Sequence, residues 1–183
     1  KTKEVFSKEF KKGKINTGKN KLIYTVAEHF SQSFISKELS MVNSGDEIII
    51  KAVEEVFKNI INVEGFDFPI FLNGNADRVD LFNGSLRIID YKTGLVNPGE
   101  LKSDDMRKVV RDLNYNKAFQ LFFYAYLFHK LHPKNYTFYA GIISFRSLKK
   151  GFMAASFNGE ESGKTHMNHK VLGVFEKELV ELI

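Results

Sequence analysis

Asp77, Asp90 and Lys92 are the residues of this 183-residue chain whose types and spacing suit chemistry. They fall in one run, GNADRVDLFNGSLRIIDYKTG, residues 74–94. Asp90 and Lys92 stand two apart in an apolar segment, so in a strand over residues 87–92 both side chains leave the same face of the sheet. Asn83-Gly84 between two strand-like runs signals a tight hairpin, because a type I′ turn needs positive φ at both central residues. That hairpin folds Asp77 back alongside Asp90. Two carboxylates that close repel unless a cation bridges them, and oxygen ligands around an open position suit Mg²⁺ or Mn²⁺. Such a cation polarises a phosphoryl oxygen and lowers the pKa of a bound water from about 15.7 toward neutrality, while a neighbouring lysine adds positive charge at the transition state. Phosphodiester hydrolysis uses all three parts. Acyl hydrolysis more often shows a serine or cysteine paired with a base, and no such triad is evident.

Taken alone, an Asp-x-Lys pair in a strand is usually a surface ion pair worth about 0 to 1 kcal/mol. Here Ile88 and Ile89 make the strand read as buried, and Asp and Lys rarely sit in such places unless paired or functional. Asp77 arrives at the spacing a hairpin requires.

The elements that must position these groups follow from hydrophobic patterning. Residues 20–38 read as an amphipathic helix and residues 46–60 as a second, with Ser44 or Asp46 available as its cap. Strands are expected over 66–72, 75–82 and 86–92. Residues 95–114 are polar and broken by Pro98-Gly99, which suits a mobile loop over the site. A nearly all-apolar helix over 117–131 follows, then a buried strand over 136–145, an edge strand over 151–157 and a terminal helix over 168–183. Composition and patterning alone support mixed α/β.

The length predicts a single domain over 1–183, long enough to bury roughly 70% of the surface its unfolded chain exposes. A start at Lys1 rather than Met reads as a domain excised from a longer chain. Cysteine is absent, which excludes disulfides, thiolate zinc and iron–sulfur ligation within the segment and fits a reducing, cytoplasmic compartment. No run of 18 or more apolar residues suggests a membrane span, and the Lys-rich start lacks a signal-peptide core. The formal net charge of +5 favours a polyanion. Arg107, Lys108 and Arg111, and Arg146, Lys149 and Lys150, are candidate phosphate contacts; for each cluster a solubilising face is the competing reading. No GxxxxGK[ST] run is present, so this segment carries no phosphate-loop motor.

The motifs as they stand resemble the PD-(D/E)XK nuclease superfamily, specifically the RecB-like and AddB-like domains of helicase-nuclease DNA repair complexes. The pattern G-x-x-D-R-x-D is met by GNADRVD, I-D-Y-K-T-G by residues 89–94, and Q-x-x-x-Y by Gln120 to Tyr124 in AFQLFFYAY. The likeness runs from GKN at residues 18–20 through GIISFRSLKKGF at residues 141–152. It implies a restriction-endonuclease-like αβββαβ core, with a central mixed sheet flanked by helices. It implies Asp77 and Asp90 as metal ligands with the Tyr91 carbonyl as a third, Lys92 as the catalytic lysine, and Gln120 and Tyr124 on one helix face approaching it. Mg²⁺ or Mn²⁺ is the implied cofactor, DNA the implied partner, and a helicase subunit or upstream helicase-like region a further one. Asp80, three residues beyond Asp77, points to the opposite face of a regular strand and reads as structural, paired with Arg78 or Arg87. On the first helix the family pattern G-x-x-x-H-x-x-x-E leaves Glu28 in the Glu place and Tyr24 where the His belongs; His29 lies about 100° round the helix from Glu28. The expected function is therefore a metal-dependent deoxyribonuclease, an exonuclease in DNA end processing and recombinational repair. The alternative is a catalytically impaired DNA-binding or scaffolding domain of the same fold.

Overall fold

The computed structural model describes residues 2–9, 17–133, 138–157 and 166–183, and its chain falls into two units, residues 1–46 and 47–183. The first unit holds α1 (Thr2–Glu9) and α2 (Gly18–Asn43). Phe6 of α1 meets Tyr24 of α2 edge to face, with ring centroids 5.4 Å apart. The helix expected over 20–38 is present and continues to Asn43, where Ser44 and a left-handed Gly45 (φ 101°) turn the chain and satisfy the last carbonyls.

The second unit begins with three strands, β1 (Ile48–Ile61), β2 (Ile70–Phe82) and β3 (Ser85–Lys92). Then come a 3₁₀ turn (Pro98–Leu101), β4 (Lys102–Ser103), α3 (Met106–Arg111), a second 3₁₀ turn (Leu113–Tyr115) and α4 (Asn116–Leu131). β5 (Tyr139–Ser144), a third 3₁₀ segment (Phe145–Lys150), β6 (Phe152–Ala154), β7 (Ser156–Phe157) and α5 (His169–Leu182) complete it. The main sheet has the order β1-β2-β3-β5-β6. Its first three strands form an antiparallel meander, β5 joins β3 in parallel after the α4 crossover, and β6 closes the far edge antiparallel. The result is a five-stranded mixed sheet with helices packed on it. Among the described residues no helix is long and apolar enough to cross a membrane.

α4 is the element that seals the sheet. It contains no Gly, Pro or β-branched residue, and its stability comes from the face it buries: Ala118, Leu121, Phe122, Tyr124, Ala125, Tyr126, Leu127 and Phe128. It contacts β1, β2, β3 and β5, and α5 packs behind it through Leu172, Phe175 and Leu179. Phe175 stacks on Phe122 at 5.9 Å. Asn168 caps α5 by accepting from the Lys170 and Val171 amides.

Three expectations change. The helix expected over residues 46–60 is instead strand β1, Ile48–Ile61, and Ser44 ends α2 rather than capping a second helix: seven of the fourteen residues of β1 are Ile or Val, which resist helix and suit a pleated surface. The apolar spacing Ile50, Val53, Phe57, Ile60 imitates a helical period because the strand's own alternation is interrupted twice. The register with β2 shifts between Ile50 and Ala52, and Glu54 adopts a left-handed φ of 55°. No separate strand covers 66–72; the chain turns there and β2 starts at Ile70. Residues 95–114 are not an open loop, because Val96, Leu101, Met106, Val109 and Val110 are all buried in the core. The strand expected over 136–145 is β5, with residues 136 and 137 outside the described part. β6 and β7 share the segment expected as one edge strand, and the terminal helix stands as α5.

The Asn83-Gly84 turn has φ 49° and 78°, as the type I′ reading requires. Gly74 on β2 is a second position where glycine is needed, for close approach: a Cβ there would lie 2.9 Å from two ring carbons of Tyr124 and 3.2 Å from Leu127 Cδ1. Gly74→Ala is expected to push α4 off the ribbon and destabilise the protein by about 1–3 kcal/mol, the usual range for overpacking. A urea titration with an unchanged midpoint would show that α4 is not seated on Gly74.

Candidate active site

The pairing of β2 with β3 ends at Arg78↔Ile89. Past that rung β2 continues along β1 to Ile70, and β3 continues along β5 to Lys92. The two strands therefore part where Asp77 and Asp90 would have been the next opposed pair. The Tyr91 amide, which an unbroken ladder would give to the β2 backbone, donates to Asp77 Oδ2 at 2.6 Å.

Val79 and Ile88, opposed in the ladder and both in the core, mark the sheet face turned to α4. Asp77, Asp90 and Lys92 share that face by the two-residue alternation. Upstream, however, Ala76 is buried in the same core and a side chain at Gly74 would also meet α4. The alternation thus slips by one between Ala76 and Asp77, opposite the left-handed Glu54. That irregularity puts Asp77 on the face it occupies.

Asp90 is 4% exposed. Its Oδ1 accepts from Gln120 Nε2 at 3.0 Å, and its Oδ2 lies 2.8 Å from Lys92 Nζ. The second contact is a charge pair without hydrogen-bond alignment, for Oδ2 is buried and accepts no hydrogen bond. Gln120 ties the group together. Its Oε1 accepts from Lys92 Nζ at 2.9 Å while its Nε2 also donates to the Tyr124 hydroxyl at 2.7 Å. These bonds orient the amide unambiguously, since the reversed amide would face ammonium with NH₂. The spacing of four on α4 that brings Gln120 and Tyr124 together is the helical one anticipated.

Burial drives the Asp90 pKa up from its ordinary 3.8, Lys92 opposes this, and the Asp77 charge adds to the rise. A buried carboxylate oxygen that accepts no hydrogen bond, beside a second carboxylate, is a fit for a hard divalent cation. Among the described residues no group of three or more His, Cys, Asp or Glu assembles, so the protein offers two carboxylates and backbone oxygen. Mg²⁺, which commonly keeps several waters, tolerates such a sparse set.

Asp80 lies on the other face, fully buried, and it is paired with both of the arginines considered for it. Arg87 Nε and Nη2 each donate to one of its oxygens at 2.8 Å, and Arg78 Nη2 lies 2.6 Å from Oδ2. Glu28 and Tyr24 belong to the first unit, where the Tyr24 hydroxyl donates to Glu28 Oε1 at 2.6 Å. Of the candidate phosphate contacts, Arg107 and Arg111 face Glu178 and Glu181 of α5 at 3.4 and 3.8 Å. Lys150 Nζ donates to the Val96 carbonyl at 3.1 Å, and Lys108, Arg146 and Lys149 are exposed. Sequence reasoning missed Ser144, buried on β5 opposite Lys92, whose hydroxyl donates to the Gly94 carbonyl at 2.7 Å. Its only signal was a lone hydroxyl ending an apolar strand.

A group whose folded pKa is raised contributes stability that is full below its unfolded value and is lost as pH rises through the folded one. For Asp90 the loss therefore begins near pH 3.8 and is complete above its raised value. Asp90→Asn removes the penalty. In the presence of a chelator the variant is expected to melt higher than the parent at neutral pH, with the difference vanishing in acid; a lower melting temperature at pH 7 would contradict this.

The family described as the PD-(D/E)XK nuclease superfamily matches residues 9–178 of the chain. No curated protein and no solved structure matches it.

Proposed function

Because the chain belongs to the PD-(D/E)XK nuclease superfamily, we propose that it is a Mg²⁺- or Mn²⁺-dependent deoxyribonuclease domain, acting on DNA ends in recombinational repair together with a helicase subunit or helicase-like region. The observation that carries this reading is the buried Asp90 carboxylate, with one oxygen held by Gln120 and the other facing the Lys92 ammonium.

Asp77, Asp90 and the Tyr91 carbonyl would hold the cation. The N–H and C=O of a strand residue leave on the same edge, so the Tyr91 carbonyl shares the edge whose amide binds Asp77. When bound, the cation supplies Lewis acidity toward a phosphodiester. Lys92, with its side chain 31% exposed, can reach a phosphate with its positive charge where negative charge develops. Gln120 holds that ammonium and Asp90 on one neutral amide, so neither can swing away without breaking a bond. Tyr124, buried behind Gln120, fixes the amide in turn. Glu28 is assigned a supporting carboxylate role by its motif position alone, and exonuclease action likewise rests on the resemblance of the motifs.

Calorimetric Mn²⁺ titration and cleavage of end-labelled linear DNA, single- and double-stranded, test this. Asp90→Ala is expected to abolish both metal binding and cleavage. Lys92→Ala should keep metal binding yet cut about 10²- to 10³-fold more slowly, the usual loss for one charge-stabilising donor. A protein that binds no Mn²⁺ and leaves DNA intact would instead be a scaffolding member of the fold.

A further inference from the structure

We propose that Arg78 and Tyr91 are positioning residues, a side-chain rung across the back of the sheet that holds the Asp77 and Asp90 strands at their working separation. The inference rests on the metal-site reading above and concerns the opposite face. Arg78 follows Asp77 and Tyr91 follows Asp90, so by alternation each points away from its neighbouring carboxylate. There Arg78 Nη1 donates to the Tyr91 hydroxyl at 3.3 Å. The bridge runs diagonally from Arg78, in the last backbone rung, to Tyr91, two residues past that rung on β3, where no ladder bond joins the two strands.

Both ends of this rung are anchored. Tyr91 stacks on Phe145 with ring centroids 5.4 Å apart and an interplanar angle of 26°. Arg78 is 4% exposed and pinned by Asp80 at 2.6 Å. Asp80 in turn is gripped by Arg87, whose guanidinium lies 4.3 Å from the Phe82 ring centroid and 5.2 Å from that of Phe152. The consequence reaches the front face through the backbone, for the Tyr91 amide is the group that orients Asp77. A Tyr91 that slides along β3 would carry that amide, and the adjoining carbonyl, out of register with Asp77. Outer partners that orient ligands are worth about 10- to 100-fold in metal affinity or activity when removed.

Two variants test the rung without unpairing the buried charges. Tyr91→Phe keeps the ring on Phe145 and loses the hydroxyl; Arg78→Lys keeps a cation for Asp80 and loses the fork that reaches both partners. Each is expected to melt close to the parent, to bind Mn²⁺ about tenfold more weakly and to lower kcat on linear DNA about tenfold with KM unchanged, in the range for such outer partners. The double variant should fall no further than the weaker single one, since both remove the same bond. Variants that match the parent in Mn²⁺ affinity and kcat, or that lose only thermal stability, would overturn the proposal while leaving the metal site standing. A parent protein that neither binds Mn²⁺ nor cuts DNA would overturn the metal-site reading itself, and this inference with it.

Discussion

The early end of the β2–β3 ladder is the constraint on which the rest of the site depends. Each strand has another partner that carries it onward, β1 for β2 and β5 for β3, so the two can part without either losing its hydrogen bonding. Backbone groups at such a fork still need partners. The Tyr91 amide finds one in a side chain, Asp77, rather than in a neighbouring strand. A fork in a sheet thus becomes a place where one carboxylate is held by backbone, close enough to a second that their charges interact.

Charge is buried on both faces of this fork, and the two faces solve the problem differently. Behind the sheet, both oxygens of Asp80 are used by two guanidinium groups, and one of those lies between aromatic rings. Removing ions from water costs several kcal/mol each, so such a cluster persists only when its carboxylate is fully satisfied. In front, Asp90 has one hydrogen-bonded oxygen and one that meets an ammonium off-axis. Both oxygens of Asp80 accept hydrogen bonds from Arg87, whereas Asp90 keeps one oxygen that accepts none.

α4 and the segment before it complete the enclosure. The apolar residues around Gln120 and Tyr124 keep water from the back of the site, which strengthens the polar contacts inside. The chain leaving Lys92 is tied down at once, by Ser144 at Gly94 and by Lys150 at Val96. Glu100 is then drawn to Lys117 of α4 at 2.6 Å. A segment whose polar composition suggested a free lid is instead part of the frame.

What could be read directly from the chain was local. The Asn83-Gly84 turn sets the hairpin because few residues accept two successive positive φ values, and the apolar run of α4 has no Gly, Pro or β-branched residue to break a buried helix. Those two elements suffice to place Asp90, Lys92, Gln120 and Tyr124 by periodicity, and Asp80 on the far face. β1 imitates a helix in sequence because a bulge and the left-handed Glu54 erase the two-residue alternation, and their cause lies in the pairing with β2, not in the residues of β1 themselves. The same holds for residues 95–114, whose scattered valines, leucine and methionine have no period but share one core. Sequence by itself determined the turn, the helix and the chemistry of the carboxylates and lysine, since these follow from φ preferences, an apolar run without helix breakers, and charge. Only the tertiary structure decided where the β2–β3 ladder stops and that Arg78 crosses to Tyr91, because both depend on which strands compete for the same backbone hydrogen bonds.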